Sequence, residues 1–180
     1  MEHEQIRAWT IQTSAAWESF QTNGILRGDG RRAYQAYRDA YRWIMGQMMH
    51  RLPVYENGWP VWLWMRWNES HHRPDLRYSG HLEAGQHGVR LELEAPRQLI
   101  LPHDFEQWHY VLHNAYFAET ENACEEWERG NRKKSAHRIQ TEKEKSWEKI
   151  FDVANSTSVA AVIEYIRLDQ VRAIHHFIAR

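Results

Sequence analysis

Seven consecutive residues, Val61-Trp62-Leu63-Trp64-Met65-Arg66-Trp67, are apolar at every position except Arg66. Successive side chains of a strand point to opposite faces, so a run that is apolar at both parities needs cover on both sides. The run is too short for a typical helix and of the right length for a strand. It therefore predicts a strand in the middle of a sheet.

The flanking segments supply the rest of a mixed pattern. Arg7 to Gln12 reads as a first strand. Ser14 reads as the N-cap of a short helix through Asn23, with Gly24 as its stop. Arg27 to Gly30 reads as a turn. From Arg31 to Leu52, Tyr34, Tyr37, Tyr41, Ile44, Met45 and Met48 recur at helical spacing, and Pro53 ends the helix. Val89 to Glu94 alternates and predicts a strand with one wet face, which Leu99 to Leu101 extends or pairs. Asp104 is placed to cap a helix running to about His113, and Glu119–Arg132 and Ser135–Phe151 read as two more. Val159–Ile166 and Val171–Phe177 look like a closing strand pair. This order implies an α+β fold, a mixed or mainly antiparallel sheet with helices packed on it. At 180 residues, one domain spanning 1–180 is expected.

Charge and cysteine usage narrow the function classes. The formal net charge of -1 argues against binding long nucleic acid through overall charge. The charges are segregated: Arg27–Arg77 holds nine Arg and five acids, whereas Arg90–Gly130 holds three Arg and nine acids. Arg without Lys suits bidentate contact with phosphate or carboxylate, and pairing between the two halves is the structural alternative. The single cysteine, Cys124, forms no internal disulfide and fits a reducing, cytoplasmic compartment. Glu125 and Glu126 beside it oppose a reactive thiolate. Neither a signal peptide nor a membrane-spanning run is visible.

Several groups could carry chemistry. Histidine is abundant at 12: His71, His72, His81 and His87 fall in one loop, and His109 and His113 lie four apart on one helix face. The second pair lacks the Glu of a metalloprotease helix, so no metal site is assigned. Arg27-Gly28-Asp29-Gly30-Arg31 has too few glycines, and no Lys-Ser/Thr, for a phosphate loop. The long polar loop from Asn68 to Gly88 is the strongest ligand candidate. In it Arg73, Asp75, Arg77, Tyr78 and His81 combine cations, a carboxylate and two rings, enough for an anion or nucleotide clamp bordering the main cleft. The alternative is a loop latched to the body by Arg–carboxylate bonds. Glu164 stands alone in the apolar run from Ala160 to Ile166. It is either functional or held structurally, with Arg167 and Arg172 the nearest cations in sequence.

These residues also carry two resemblances. Trp9-Thr10-Ile11-Gln12 with Trp17 and Gly24, Ala40-Tyr41-Arg42-Trp43, Arg73-Pro74-Asp75-Leu76-Arg77, Asp104-Phe105 with Trp108-His109, and Trp147 to Asp152 resemble a set of small, mostly bacterial proteins catalogued as a domain of unknown function. That resemblance covers nearly the whole chain and implies no activity. A second, distant resemblance is to ADP-ribosyltransferase-like domains, through Trp9-Thr10, Trp17, Gly24-Ile25-Leu26 and a late-strand acid, Glu164. It implies a split sheet with NAD in its cleft. Glu164 would steer the ribose, Thr10 would hold the ribose or amide, Tyr34 would stack, Arg77 would meet the pyrophosphate, and Trp9 would line the site. Two functions thus stand open: an NAD-using ADP-ribosyltransferase-like enzyme, and a non-catalytic module binding a small nucleotide-like ligand, an RNA end or a protein.

Overall fold

The computed structural model describes residues 4–68 and 73–180. The chain runs β1 (Gln5–Thr13), α1 (Ser14–Asn23), β2 (Ile25–Arg27), α2 (Arg38–Arg51), β3 (Val61–Arg66), β4 (His87–Pro96), β5 (Leu101–Asp104), α3 (Phe105–Leu112), α4 (Glu121–Asn131), α5 (Ala136–Trp147), β6 (Val159–Ile163), β7 (Tyr165–Arg167) and β8 (Val171–Ile178). Six strands form one antiparallel sheet in the order β5-β6-β3-β1-β4-β8, and β2 pairs with β7 in a separate ribbon. The fold is α+β, as the pattern implies.

β3 is central, between β6 and β1, and its parity sorts the core into two layers. Val61 and Leu63 join Ala161 and Ile163 of β6, Leu91 and Leu93 of β4, and Trp17 and Phe20 of α1 in one apolar cluster. Trp62 and Val162 face the other way, onto Ala40, Ile44 and Met48 of α2, Trp108 and Val111 of α3, and Trp147 at the end of α5. On the β1–β4 half this second face is wet. There Arg7 meets Glu92 at 3.3 Å and Glu94 at 3.7 Å, and Arg172 meets Glu94 at 3.0 Å.

Three local expectations are corrected. The helix expected from Arg31 begins only at Arg38, after two 3-10 turns at Gly30–Arg32 and Gln35–Tyr37. The Asp29 carboxylate accepts from the Arg31 amide at 3.0 Å and closes a tight turn, and Ala33 and Tyr34 then run extended. The last strands do not pair with each other. β6, apolar on both faces, is inserted between β3 and β5, and β8, with its exposed Arg and His side chains, takes the edge beside β4. α1 is capped by Thr13 rather than Ser14, through Oγ1 accepting from the Ala16 amide at 3.1 Å. Asp104 does cap α3, accepting from the Gln107 amide at 2.8 Å, and Gly24 closes α1 in the left-handed region at φ 74°.

His103 on β5 is fully buried, its ring 5.6 Å from the rings of Trp62 and Trp108. Neither ring nitrogen finds a partner in hydrogen-bonding geometry. Burial pushes its pKa from 6.5 down to about 4, against smaller opposing pulls from the Leu101 backbone and the Asp104 carboxylate. The unfolded chain therefore binds a proton that the folded chain refuses between about pH 6.5 and 4. Its contribution is fully present above that window and is lost as pH falls through it, on the order of 3 kcal/mol in all. Urea melts of His103→Leu across this range should show a flatter loss of stability than the wild type. Equal slopes in the two proteins would show that another group titrates.

Candidate functional site

The sheet opens between β1 and β3. β1 pairs with β4 along its full length, from Gln5 opposite Pro96 to Thr13 opposite Gly88, but meets β3 at a single pair, Trp9 opposite Trp64. One residue further on, a side chain takes over from the backbone ladder: the Thr10 hydroxyl donates to the Trp62 carbonyl at 2.8 Å and accepts from Gln12 Nε2 at 2.8 Å. Beyond it the strands part around a cleft of about 960 Å³. Ile11, Gln12 and Thr13 line it. Residues of α1, the segment from Ile25 to Asp29, Arg32, Tyr41, Trp59–Trp62, and Leu82, Gln86 and His87 also line it.

The wall charges are arranged around glycines. Arg27 lies over the Tyr165 ring, 4.8 Å from its centroid. Asp29 holds Arg31 through Nε and Nη2, both at 3.0 Å, and this guanidinium keeps the Asp29 carboxyl below its ordinary pKa. A carboxylate on the cleft wall thus stays ionised. Burial raises the Tyr41 phenol, with the Trp62 indole opposing. The Trp59 ring tilts against Tyr41 at 5.7 Å. A Cβ on Gly30 would lie 2.1 Å from the Trp59 ring, and one on Gly28 would lie 2.5 Å from the Pro60 carbonyl oxygen. Only glycines let the 28–30 turn seat this wall so closely.

Glu164 holds the same wall from behind. It sits where the chain leaves β6 for β7, is 6% exposed, and does not line the cleft. Oε2 accepts from the Glu56 amide at 2.9 Å and Oε1 from the Gly58 amide at 2.7 Å. Tyr55 donates to the Gly58 carbonyl at 2.8 Å. Its phenol is pushed up to about 12, first by burial and then by the Glu164 charge. The cations expected near Glu164 are engaged elsewhere: Arg167 with Asp169, and Arg172 with Glu94.

The other residues singled out from the sequence fall in separate places. Trp9 is buried, and its indole donates to Glu92 at 3.1 Å. Tyr34 is 76% exposed and touches Tyr37. Among the described residues of their loop, Leu82, Gln86 and His87 line the main cleft, and Arg73, Asp75, Arg77, Tyr78 and His81 do not. Arg77 pairs within the loop with Asp75 at 2.7 Å, and His81 bonds the Asp75 carbonyl at 2.9 Å. The anchor to the sheet is Arg90 Nη1, donating to the Pro74 carbonyl at 2.8 Å. Tyr78 and His81 rest on the Trp67 ring at 5.8 and 5.2 Å. The ion pairs of the Arg-rich half are largely local as well, Arg31 with Asp29 and Arg42 with Asp39. His71 and His72 lie outside the described residues. Among the described residues no group of three or more His, Cys, Asp or Glu is placed to hold a metal, and no helix is long and apolar enough to cross a membrane.

Residues 7–172 match the family described as Domain of unknown function (DUF3841). The chain belongs to that family. No curated protein and no solved structure matches it, and the second resemblance, to ADP-ribosyltransferase-like domains, gains no support. The DUF3841 match spans every residue of the cleft. Reading the sequence missed Arg27, Asp29, Arg32 and Trp59 as cleft residues. Their one local signal was the pair of glycines flanking Asp29, which failed the phosphate-loop pattern and read as a plain turn.

Proposed function

We propose that this DUF3841 domain binds a small, anionic, nucleotide-like ligand in the cleft between β1 and β3. The observation that carries the reading is that arginines and aromatic residues line one cleft. Arg27 and Arg32 line it together with Tyr41, Trp59 and Trp62, around a volume of about 960 Å³. Small-ligand sites are of this size, mostly apolar with a few convergent polar groups. Guanidinium forks suit phosphate oxygens, and indole or phenol faces suit a base. Thr10 and Glu164 serve this reading as positioning groups: one holds the β3 edge at Trp62, the other the segment that carries Trp59.

Calorimetry with AMP, ADP-ribose and NAD tests it. At least one should bind, and Arg27→Ala with Arg32→Ala should weaken that binding about ten- to hundred-fold, the value of one charged hydrogen bond. Circular dichroism should show the fold intact. A short single-stranded RNA should bind weakly, with a steeper salt dependence than the nucleotides. Unchanged affinity in the double variant, or no nucleotide binding by the wild type, would sink the proposal.

A further inference from the structure

The Thr10 hydroxyl fixes the orientation of the Gln12 amide. A carbonyl oxygen only accepts, so the 2.8 Å contact between Thr10 Oγ1 and the Trp62 carbonyl takes the one hydrogen that the hydroxyl has. The hydroxyl oxygen is then left as an acceptor, and the Gln12 group 2.8 Å from it is the NH₂. Turned the other way, Oε1 would face the Thr10 oxygen with no hydrogen between them, and a bond would be lost. Thr10 is 1% exposed, so this short chain of bonds is shielded from water. Gln12 itself is half-buried and lines the cleft. Its Oε1 has no hydrogen-bond partner among the described residues, and neither has its second Nε2 hydrogen. The next residue differs: the Thr13 hydroxyl accepts from the Ala16 amide in the cap of α1. Gln12 is thus a polar side chain that the fold orients and leaves with bonding capacity at the cleft.

We propose that Gln12 reads the base of the bound nucleotide and that this base is adenine. Oε1 accepts from the exocyclic amino group, and the remaining Nε2 hydrogen goes to a ring nitrogen. This rests on the nucleotide reading of the cleft and adds to it which base is taken. A glutamine amide and adenine match edge to edge, because adenine N6 donates where Oε1 accepts and N7 accepts where Nε2 donates. Hypoxanthine and guanine have an oxygen in place of that amino group, which sets two acceptors against each other. An amide that nothing holds turns over to suit either base. Here turning over breaks the bond to Thr10, so Thr10 acts as a positioning residue that keeps Gln12 in the adenine-reading orientation.

The test compares AMP with IMP by calorimetry on the full chain. The wild type should bind AMP about ten-fold or more tighter than IMP, the discrimination of one bidentate pair between amide and base. Gln12→Leu should bring AMP down to about the IMP value. Thr10→Val should narrow the ratio of the two affinities by releasing the amide, and Thr10→Ser, which keeps the hydroxyl, should keep the ratio. Circular dichroism on each variant separates lost reading from lost fold, and Gln12→Leu decides the matter where Thr10→Val does not fold. If AMP and IMP bind the wild type alike, if Gln12→Leu leaves their ratio unchanged, or if a folded Thr10→Val keeps it, the base reading is wrong while the cleft reading stands. The same follows if ADP-ribose or NAD binds and neither AMP nor IMP does. If none of the four binds the wild type, both readings fail together.

Discussion

Glu164→Gln is expected to destabilise the domain by about 3 kcal/mol. Both carboxylate oxygens accept backbone N–H groups, from Gly58 at 2.7 Å and Glu56 at 2.9 Å. The amide of Gln keeps one acceptor and turns an NH₂ toward the other donor. One charge-assisted bond becomes a donor–donor contact, and the second bond loses its charge. Glu164 is 6% exposed, so water does not compensate at low cost. For a chain of this length, the loss corresponds to a melting temperature lower by about 6–12 °C. A second readout is specific to the contact. The Tyr55 phenol, held near 12 partly by the Glu164 charge, should titrate lower in the variant by ring-labelled NMR. Wild-type melting and an unmoved Tyr55 would show that the carboxylate does not hold this segment.

Gly28→Ala strikes the same wall from the front. The added methyl would stand 2.5 Å from the Pro60 oxygen, 2.6 Å from the Trp59 oxygen and 2.8 Å from the Trp59 carbonyl carbon. All three are backbone atoms, so no side chain can rotate away, and the 59–60 segment must back off the turn. Overpacking of this kind costs about 1–3 kcal/mol. It should also widen the gap at Trp59 and weaken nucleotide binding. The two substitutions should be non-additive. Once Glu164→Gln has loosened the segment, the Gly28 methyl meets less resistance, so the double variant should lose less than the sum of the singles. Strict additivity in urea melts would mean that the turn and the carboxylate hold independent pieces of structure.

The central place of β3, the Asp104 cap, the Gly24 stop and the α+β order were determined by the sequence alone. Each is a local rule: parity of apolar side chains along a strand, a carboxylate beside the free amides of a helix start, a residue without Cβ where φ is positive. The apolar runs at Val61–Arg66 and Val159–Ile163 carry the same two-faced signal, and both lie inside the sheet. The site was decided elsewhere. Glu164 is 106 residues from Gly58 and 108 from Glu56. Its partners there are backbone amides, which every non-proline residue has, so no residue type marks them in advance. The cleft exists because β1 and β3 pair once and then part, a matter of how two distant strands are laid together. Arg73 to His81 read equally as a clamp and as a latched loop, because its charges and rings are close in sequence. In the folded chain Arg77 and Asp75 pair locally, while Arg27, Arg32 and Trp59 line one cleft. Proximity along the chain predicts local pairing well, and a binding site needs groups that tertiary packing brings together while leaving them facing an unfilled space.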